Sequence, residues 1–193
     1  MPRKRRPRSP WFSPRSLISG WWRSVRVRWY RRDSDSVVFA SIVALLVGAL
    51  GTLLFALFAY NAEQRDLACL ARNVYFEARG EPPAGQYAVA EVTMNRVASP
   101  YYPTTVCGVV YEKRWDTIRN RNVGAFSWTE FDRLPEPRGE QWQQAWRIAE
   151  TVYFRREDPK LDGATHFHAN YVRPSWSREK TRVAHIGRHV FYK

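Results

Sequence analysis

Apolar residues follow two different patterns along this chain, and the change between them divides it. From Val37 to Tyr60 they run for 24 residues with no charged side chain and no polar face. At 1.5 Å per residue such a helix reaches about 36 Å, enough to cross a hydrocarbon layer of about 30 Å. Beyond Asn61 the apolar positions recur at helical spacing. Leu67, Leu70, Ala71, Val74, Tyr75 and Ala78 share one face. Gly80 is expected to end that helix in a left-handed cap, and Pro82-Pro83 to stop it. A second helix is predicted from about Ala84 to Ala98, with Val89, Val92, Thr93 and Val97 inward and Pro100 and Pro103 beyond it. Thr104 or Thr105 is placed to cap a short third helix through Tyr111. Residues 113–138 show no period and read as an open loop. The clearest helix runs from about Gly139 to Arg155, where Trp142, Ala145, Trp146, Ala149, Val152 and Tyr153 form one apolar stripe, read as core. Thr165–His168 and Arg182–Tyr192 alternate as strands do, with a turn near Ile186-Gly187. Helices followed by a small antiparallel sheet predict an α+β domain, mainly helical, after one transmembrane helix.

Charge sharpens that division. Of the net +13, residues 1–36 hold 11 Lys/Arg against 2 Asp/Glu, and the remainder holds 20 against 16. The excess lies in a tail directly before the apolar run, which fits an anionic membrane surface better than nucleic acid, and no nucleic-acid partner is expected. Trp21–Tyr30 interleaves aromatic and cationic residues and is expected to lie among lipid headgroups. The apolar run is longer than a signal-peptide core, and Ala59-Tyr60-Asn61-Ala62 is a poor cleavage site, so an uncleaved anchor is expected. The positive-inside rule then sets the boundaries: residues 1–36 a basic cytoplasmic tail, 37–60 a single-pass anchor, and 61–193 a domain on the far side of the membrane.

Candidate chemistry centres on Glu77. It sits three residues before Gly80, at the negative end of its helix dipole and beside Tyr75 and Phe76. Both the dipole and partial burial oppose ionisation. A carboxylic acid kept protonated near neutral pH is suited to donate a proton to a leaving oxygen. Cys69 and Cys107 are a candidate disulfide in an oxidising compartment, or two small core residues. His166 and His168 fall on one strand face. His185 and His189 form a second pair, about 13 Å apart along an extended strand. Two cysteines and no His-Glu-x-x-His make a metal unexpected, and no cofactor is expected.

Five segments carry a family likeness: Asn73–Glu81, Gly85–Ala90 with Asn95–Val97, Tyr102–Tyr111, Phe126-Ser127 and Ile186–Tyr192. In that order they resemble the spore-cortex-lytic and cell-wall hydrolase family, which acts on peptidoglycan. The resemblance implies a lysozyme-like fold, Glu77 as the catalytic acid, and residues 61–193 as a cell wall hydrolase catalytic domain in the periplasm or facing the wall, held by the anchor in a bacterial inner membrane. It implies cleavage of the bond between N-acetylmuramic acid and N-acetylglucosamine, expected to proceed as a lytic transglycosylase that leaves 1,6-anhydro-muramic ends. Gln86, Ser127, His168, Asn170 and Tyr171 are candidate contacts to the glycan. Glu81 reads as either the second carboxylate of a hydrolytic muramidase or a surface or capping residue, Arg79 as a partner in an ion pair, and Trp176 as either a sugar platform or core. The alternatives are a hydrolytic muramidase, an amidase, and a wall-binding scaffold without turnover.

Overall fold

The computed structural model describes residues 34–117, 119–155, 160–161 and 163–193. The basic tail through Asp33, with its Trp21–Tyr30 segment, lies outside them. Two units divide the chain, Met1–Ala56 and Leu57–Lys193. In the first, the described residues belong to helix α1 (Ser34–Ala78). From Ser36 to Ala56 every side chain is exposed, Leu45 and Phe55 among the most. By length and composition this helix is apolar enough to cross a membrane.

The second unit is a helix-rich α+β fold. Its helices are the C-terminal part of α1, then α2 (Pro83–Ala98), α3 (Val106–Val110) and α4 (Gly139–Tyr153). Pro83 opens α2, where a missing N–H costs nothing. Thr105 caps α3 by accepting from the Gly108 N–H at 3.1 Å. The buried face of α1 (Leu70, Ala71, Val74, Tyr75) meets Val106, Val109 and Val110 of α3 and Ala145, Ile148 and Ala149 of α4. α2 stands between two cores. Ala90 faces that first cluster, while Ala88 and Val92 face a second one with Leu161, Ala164 and Phe191. The α4 stripe is core as expected, with Trp142, Trp146, Val152 and Tyr153 packed at its edge. α4 stops at Tyr153, and Arg155 has a positive φ of 49°, which no helix continues through.

Three strands, β3 (His166–Ala169), β4 (Arg182–Ile186) and β5 (His189–Tyr192), form an antiparallel sheet in the order β3-β5-β4 once the hairpin β1 (Lys113–Asp116) and β2 (Arg121–Gly124) is counted first in sequence. That hairpin corrects the expectation of an open loop over 113–138. Its strands have four residues each and are mostly exposed on both faces, so they carry no alternation to read. A 3-10 turn, Ser127–Glu130, follows it. A second correction concerns His185 and His189. The reversal at Gly187, φ 58°, puts Ile186 opposite His189 and His185 opposite Val190, so the two histidines are not successive positions of one strand.

Cys69 on α1 and Cys107 on α3 are joined by a disulfide, with Cα atoms 5.2 Å apart and a sequence separation of 38. Closing a loop of that length removes denatured-state entropy worth roughly 4 kcal/mol in the chain-entropy model. Replacing both cysteines by alanine should lower the unfolding free energy of the second unit by about 2–4 kcal/mol, measured by denaturant titration without reductant. Equal stability of parent and variant would show that the bridge does not constrain the unfolded chain.

Candidate active site

Glu77 lies in the last turn of α1. The helix does not end in the expected left-handed glycine: among the described glycines, positive φ is found at Gly139, Gly163 and Gly187, not Gly80. Instead the chain tightens. The Arg79 N–H donates to Tyr75 C=O at 3.2 Å and the Glu81 N–H to Ala78 C=O at 2.8 Å, an i to i−3 closure before the two prolines. Gly80 instead lies close beneath Arg188: a Cβ there would stand 3.1 Å from Nη2, which donates to the Gly80 carbonyl at 3.2 Å, so a side chain at this position would push the guanidinium end aside by a few tenths of an ångström.

The Glu77 carboxyl points at the 3-10 turn. Burial raises its pKa above the ordinary carboxylate value. The Ser127 hydroxyl, the Arg96 guanidinium and the backbone N–H groups of Trp128 and Ser127 oppose that rise without cancelling it. The turn has no capping side chain of its own, since Phe126 precedes it, so the glutamate supplies the acceptor that its first N–H groups lack. Oε1 of Glu77 is buried with no hydrogen-bond partner. It is therefore the oxygen left to carry a proton.

Residues missed by sequence reasoning hold this arrangement. Asn73 is fully buried one helical turn before Glu77; its Oδ1 accepts from Trp128 Nε1 at 2.9 Å and its Nδ2 donates to Thr93 Oγ1 at 3.0 Å. Thr93 passes the chain on to Val89 C=O at 3.1 Å. Trp128 stacks on Phe76, centroids 4.8 Å apart, so indole and phenyl wall the side of the acid. Arg96 is buried over the rings of Phe126 and Tyr102, at 4.9 and 5.4 Å, with Nε donating to Thr165 C=O at 2.8 Å. A buried asparagine inside an apolar stripe was the available signal for Asn73. Arg96 gave none, since its burial depends on rings distant in sequence.

The other expected residues separate into groups. Ser127 is brought to Glu77. Gln86 is not: it is buried and donates to the Glu81 carbonyl at 3.0 Å, a structural bond. Glu81 is neither a surface nor a capping residue. Its side chain is hidden beneath the β4–β5 turn, where it accepts from the Arg188 N–H at 2.8 Å and Nε at 2.6 Å. Burial alone would raise its pKa, but these donors, with His189, hold it below the ordinary value. Gly187 leaves room for it, because a Cβ there would collide with Glu81 Oε2. Arg79 makes no ion pair among the described residues; it lies over the Tyr75 ring and donates to its hydroxyl at 3.3 Å. Both ring nitrogens of His168 are engaged, Nδ1 with Ala169 C=O at 2.9 Å and Nε2 with the Tyr192 hydroxyl at 3.0 Å. Asn170 and Tyr171 are exposed after β3. Trp176 is half-buried against His166, His168 and Tyr192.

Two clefts adjoin the acid through shared neighbours. One, of about 170 Å³, is lined by Arg96, Tyr102, Glu112 and His166; the other, of about 530 Å³, by Trp128, Tyr111, Phe131 and Arg72. Burial, with Lys180, Arg96 and Arg114, drives the His166 pKa down to about 4, so the first cleft holds a neutral imidazole at neutral pH. Among the described residues no group of three or more His, Cys, Asp or Glu side chains converges as a metal site.

The raised pKa of Glu77 has a consequence for stability. The folded chain keeps its proton at pH values where the unfolded chain has lost it, so stability falls as pH rises above the ordinary value of 4.5. Glu77→Gln, neutral throughout, should melt higher than the parent at pH 7 and approach it at pH 4. An equal or lower melting temperature at pH 7 would show that burial does not burden the carboxylate.

Residues 80–192 match the model of the family described as Cell Wall Hydrolase. Spore cortex-lytic enzymes are similar in sequence: that of Oceanobacillus iheyensis is 31% identical over 131 residues, 67% of this chain and 42% of that protein. That of Bacillus subtilis is 30% identical over 126 residues, 65% of this chain and 37% of that protein. The chain thus spans less than half the length of these relatives. Among solved structures, the catalytic domain of the germination-specific lytic transglycosylase SleB from Bacillus anthracis is 30% identical, with 67% of this chain and 95% of that domain covered and a TM-score of 0.49. On the match over residues 80–192, which takes in every described strand, the chain belongs to the cell wall hydrolase family.

Proposed function

We propose that this chain is a membrane-anchored, peptidoglycan-degrading enzyme of lysozyme-like fold that cuts the MurNAc–GlcNAc bond as a lytic transglycosylase, with Glu77 as its acid and base. The observation that carries this reading is a buried carboxyl with a raised pKa and an unpartnered Oε1, in a family of cell wall hydrolases. The spore cortex-lytic names of its relatives support the same substrate class. Glu77 protonates the glycosidic oxygen as the C1–O bond breaks through an oxocarbenium-like state. The resulting carboxylate is stabilised by Ser127, Trp128 N–H and Arg96. It then takes the proton of the muramic C6 hydroxyl while O6 bonds to C1, closing the anhydro ring and restoring the acid. The intramolecular hydroxyl replaces water because its effective concentration is high. Glu81, tied to Arg188, is not free to act as a second carboxylate.

A hydrolytic muramidase is the second reading, favoured by Glu112, whose Oε2 is buried without a partner in the cleft beside Arg96. In the transglycosylase reading Glu77→Gln stays folded and loses about 10²–10⁴-fold in turnover on purified wall. Glu112→Gln loses much less, and mass spectrometry finds anhydro ends about 18 Da lighter than reducing ends, since no water is added. Reducing ends with a large loss in Glu112→Gln would select the muramidase. Full activity of Glu77→Gln would remove the site assignment, and wall binding with no turnover in zymography would leave a scaffold.

The topology proposed is a cytoplasmic tail over residues 1–36, an anchor over 37–60 and an outward domain over 61–193. It rests on the exposed apolar run and on the charge in front of it. Protease added to spheroplasts should remove residues 61–193 and leave the rest in the membrane fraction. A soluble mature form beginning near Asn61 would replace the anchor with a cleaved leader.

A further inference from the structure

The strongest unassigned feature is a cationic cleft on the β3-β5-β4 sheet. It has a volume of about 510 Å³ and is lined by Arg173, Arg178 and Arg182, with Asn170 at its edge and Val190 and Tyr192 buried in its floor. Three separate segments deliver the arginines: the stretch after β3, the 3-10 turn Ser175–Arg178, and the first residue of β4. None of the three is in an ion pair among the described residues. Glu179, the acid next in sequence to Arg178, does not line the cleft. Three guanidinium groups around one concave space repel one another unless an anion joins them. Their planar forks match carboxylates, and Asn170 adds an amide that can donate or accept.

The cleft neighbours the one lined by Arg96, whose charge acts on Glu77. His166 and His168 both pack against Trp176, with ring centroids 5.4 and 5.6 Å from it. His166 lines the cleft shared with Arg96, and His168 lines the arginine cleft. These histidines are two positions apart on β3, about 7 Å along the strand. A glycan strand lying at Glu77 carries its peptides on the lactyl groups of muramic acid. An extended peptide advances about 3.3–3.6 Å per residue, so two or three residues reach from one cleft to the other. We propose that the Arg173–Arg178–Arg182 cleft binds the carboxylates of the wall's stem peptide, and so selects glycan that still bears peptides. This rests on the function proposed above for the source of the ligand, and on the side-chain geometry alone for its charge.

The test uses the purified full chain carrying Glu77→Gln, so that nothing turns over, and titrates it by calorimetry with soluble acidic stem peptide released from wall by an amidase. The same peptide with its carboxylates converted to amides is the control. The acidic form should bind at least tenfold more tightly than the amide form, and added salt should weaken it. Arg173→Gln/Arg178→Gln/Arg182→Gln should abolish that difference without lowering the melting temperature, since all three side chains are exposed and their mutual repulsion is removed. With Glu77 restored, the triple variant should lose the preference for peptide-bearing over amidase-stripped glycan and cleave the stripped glycan at the parent rate. Equal binding of the acidic and amide peptides would overturn the inference, even if the enzyme cleaves wall. So would a lasting preference in the triple variant. Tighter binding of phosphatidylglycerol vesicles than of peptide, lost in the triple variant, would assign the cleft to lipid and overturn it likewise. An enzyme that binds the acidic peptide but cleaves no glycan would retain this site and discard the proposed reaction.

Discussion

The bond from Trp128 to Asn73 is the constraint on which the candidate site depends. An asparagine with no exposure, in the middle of an apolar helix face, loses its hydration on folding and must find partners. It finds them on two other elements: the indole of the 3-10 turn and the Thr93 hydroxyl of α2. Three segments with few other reasons to share one register are thereby pinned together. Once Trp128 is fixed, it stacks on Phe76, and the residue before it, Ser127, is carried to Glu77. The polar core chain sets the position of the acid's partners, and apolar packing alone would leave them free to slide.

Four residues apart in sequence, Glu77 and Glu81 are put to opposite uses by their surroundings. Both are taken from water, which favours the neutral form. Glu81 receives a full cation and a backbone N–H from Arg188, and its pKa falls. Its side chain is hidden by the turn and by Arg188 itself, so it behaves as an ion-paired clasp between the end of α1 and the β4–β5 hairpin. Glu77 receives mostly neutral donors, with Arg96 already shared between two aromatic rings, a carbonyl and Glu112, and its pKa rises. Separating two carboxyl groups in this way is how acid chemistry is kept available near neutral pH.

The sequence makes legible whatever depends on local periodicity and punctuation. The faces of α1, α2 and α4 follow from apolar spacing, and the cap of α3 from Thr105. The β4–β5 reversal follows from Gly187. The exposed apolar run needs only its length and lack of charge. What it hides depends on distant partners. The β1–β2 hairpin is stabilised by a neighbouring turn rather than by a buried face: Glu130 accepts from the Gly124 N–H at 3.2 Å and pairs with Arg121 at 2.7 Å. Gly80 looked like a helix cap and proved to be a clearance for Arg188, 108 residues away in sequence. Gln86 looked like a glycan contact and Glu81 like a surface or capping residue, yet each is satisfied inside. Of the candidate site, Glu77 and Ser127 were visible as motif residues, whereas Asn73 and Arg96 acquire their roles only through packing.

An acid that must also act as a base needs its two states close in free energy. Burial favours the protonated state, which in the proposed reaction would give its proton to the leaving oxygen. The Ser127 hydroxyl, two N–H groups and the Arg96 charge favour the ionised state that follows. Neither set is complete: Oε1 has no partner, and Arg96 is held back by its other contacts. A stronger cation in place of these shared donors would lower the pKa as Arg188 does for Glu81, leaving a carboxylate with no proton to give. An entirely apolar wall would raise it so far that the conjugate base could not form. In the proposed reaction, the incomplete set of donors around Glu77 would let one residue serve both steps.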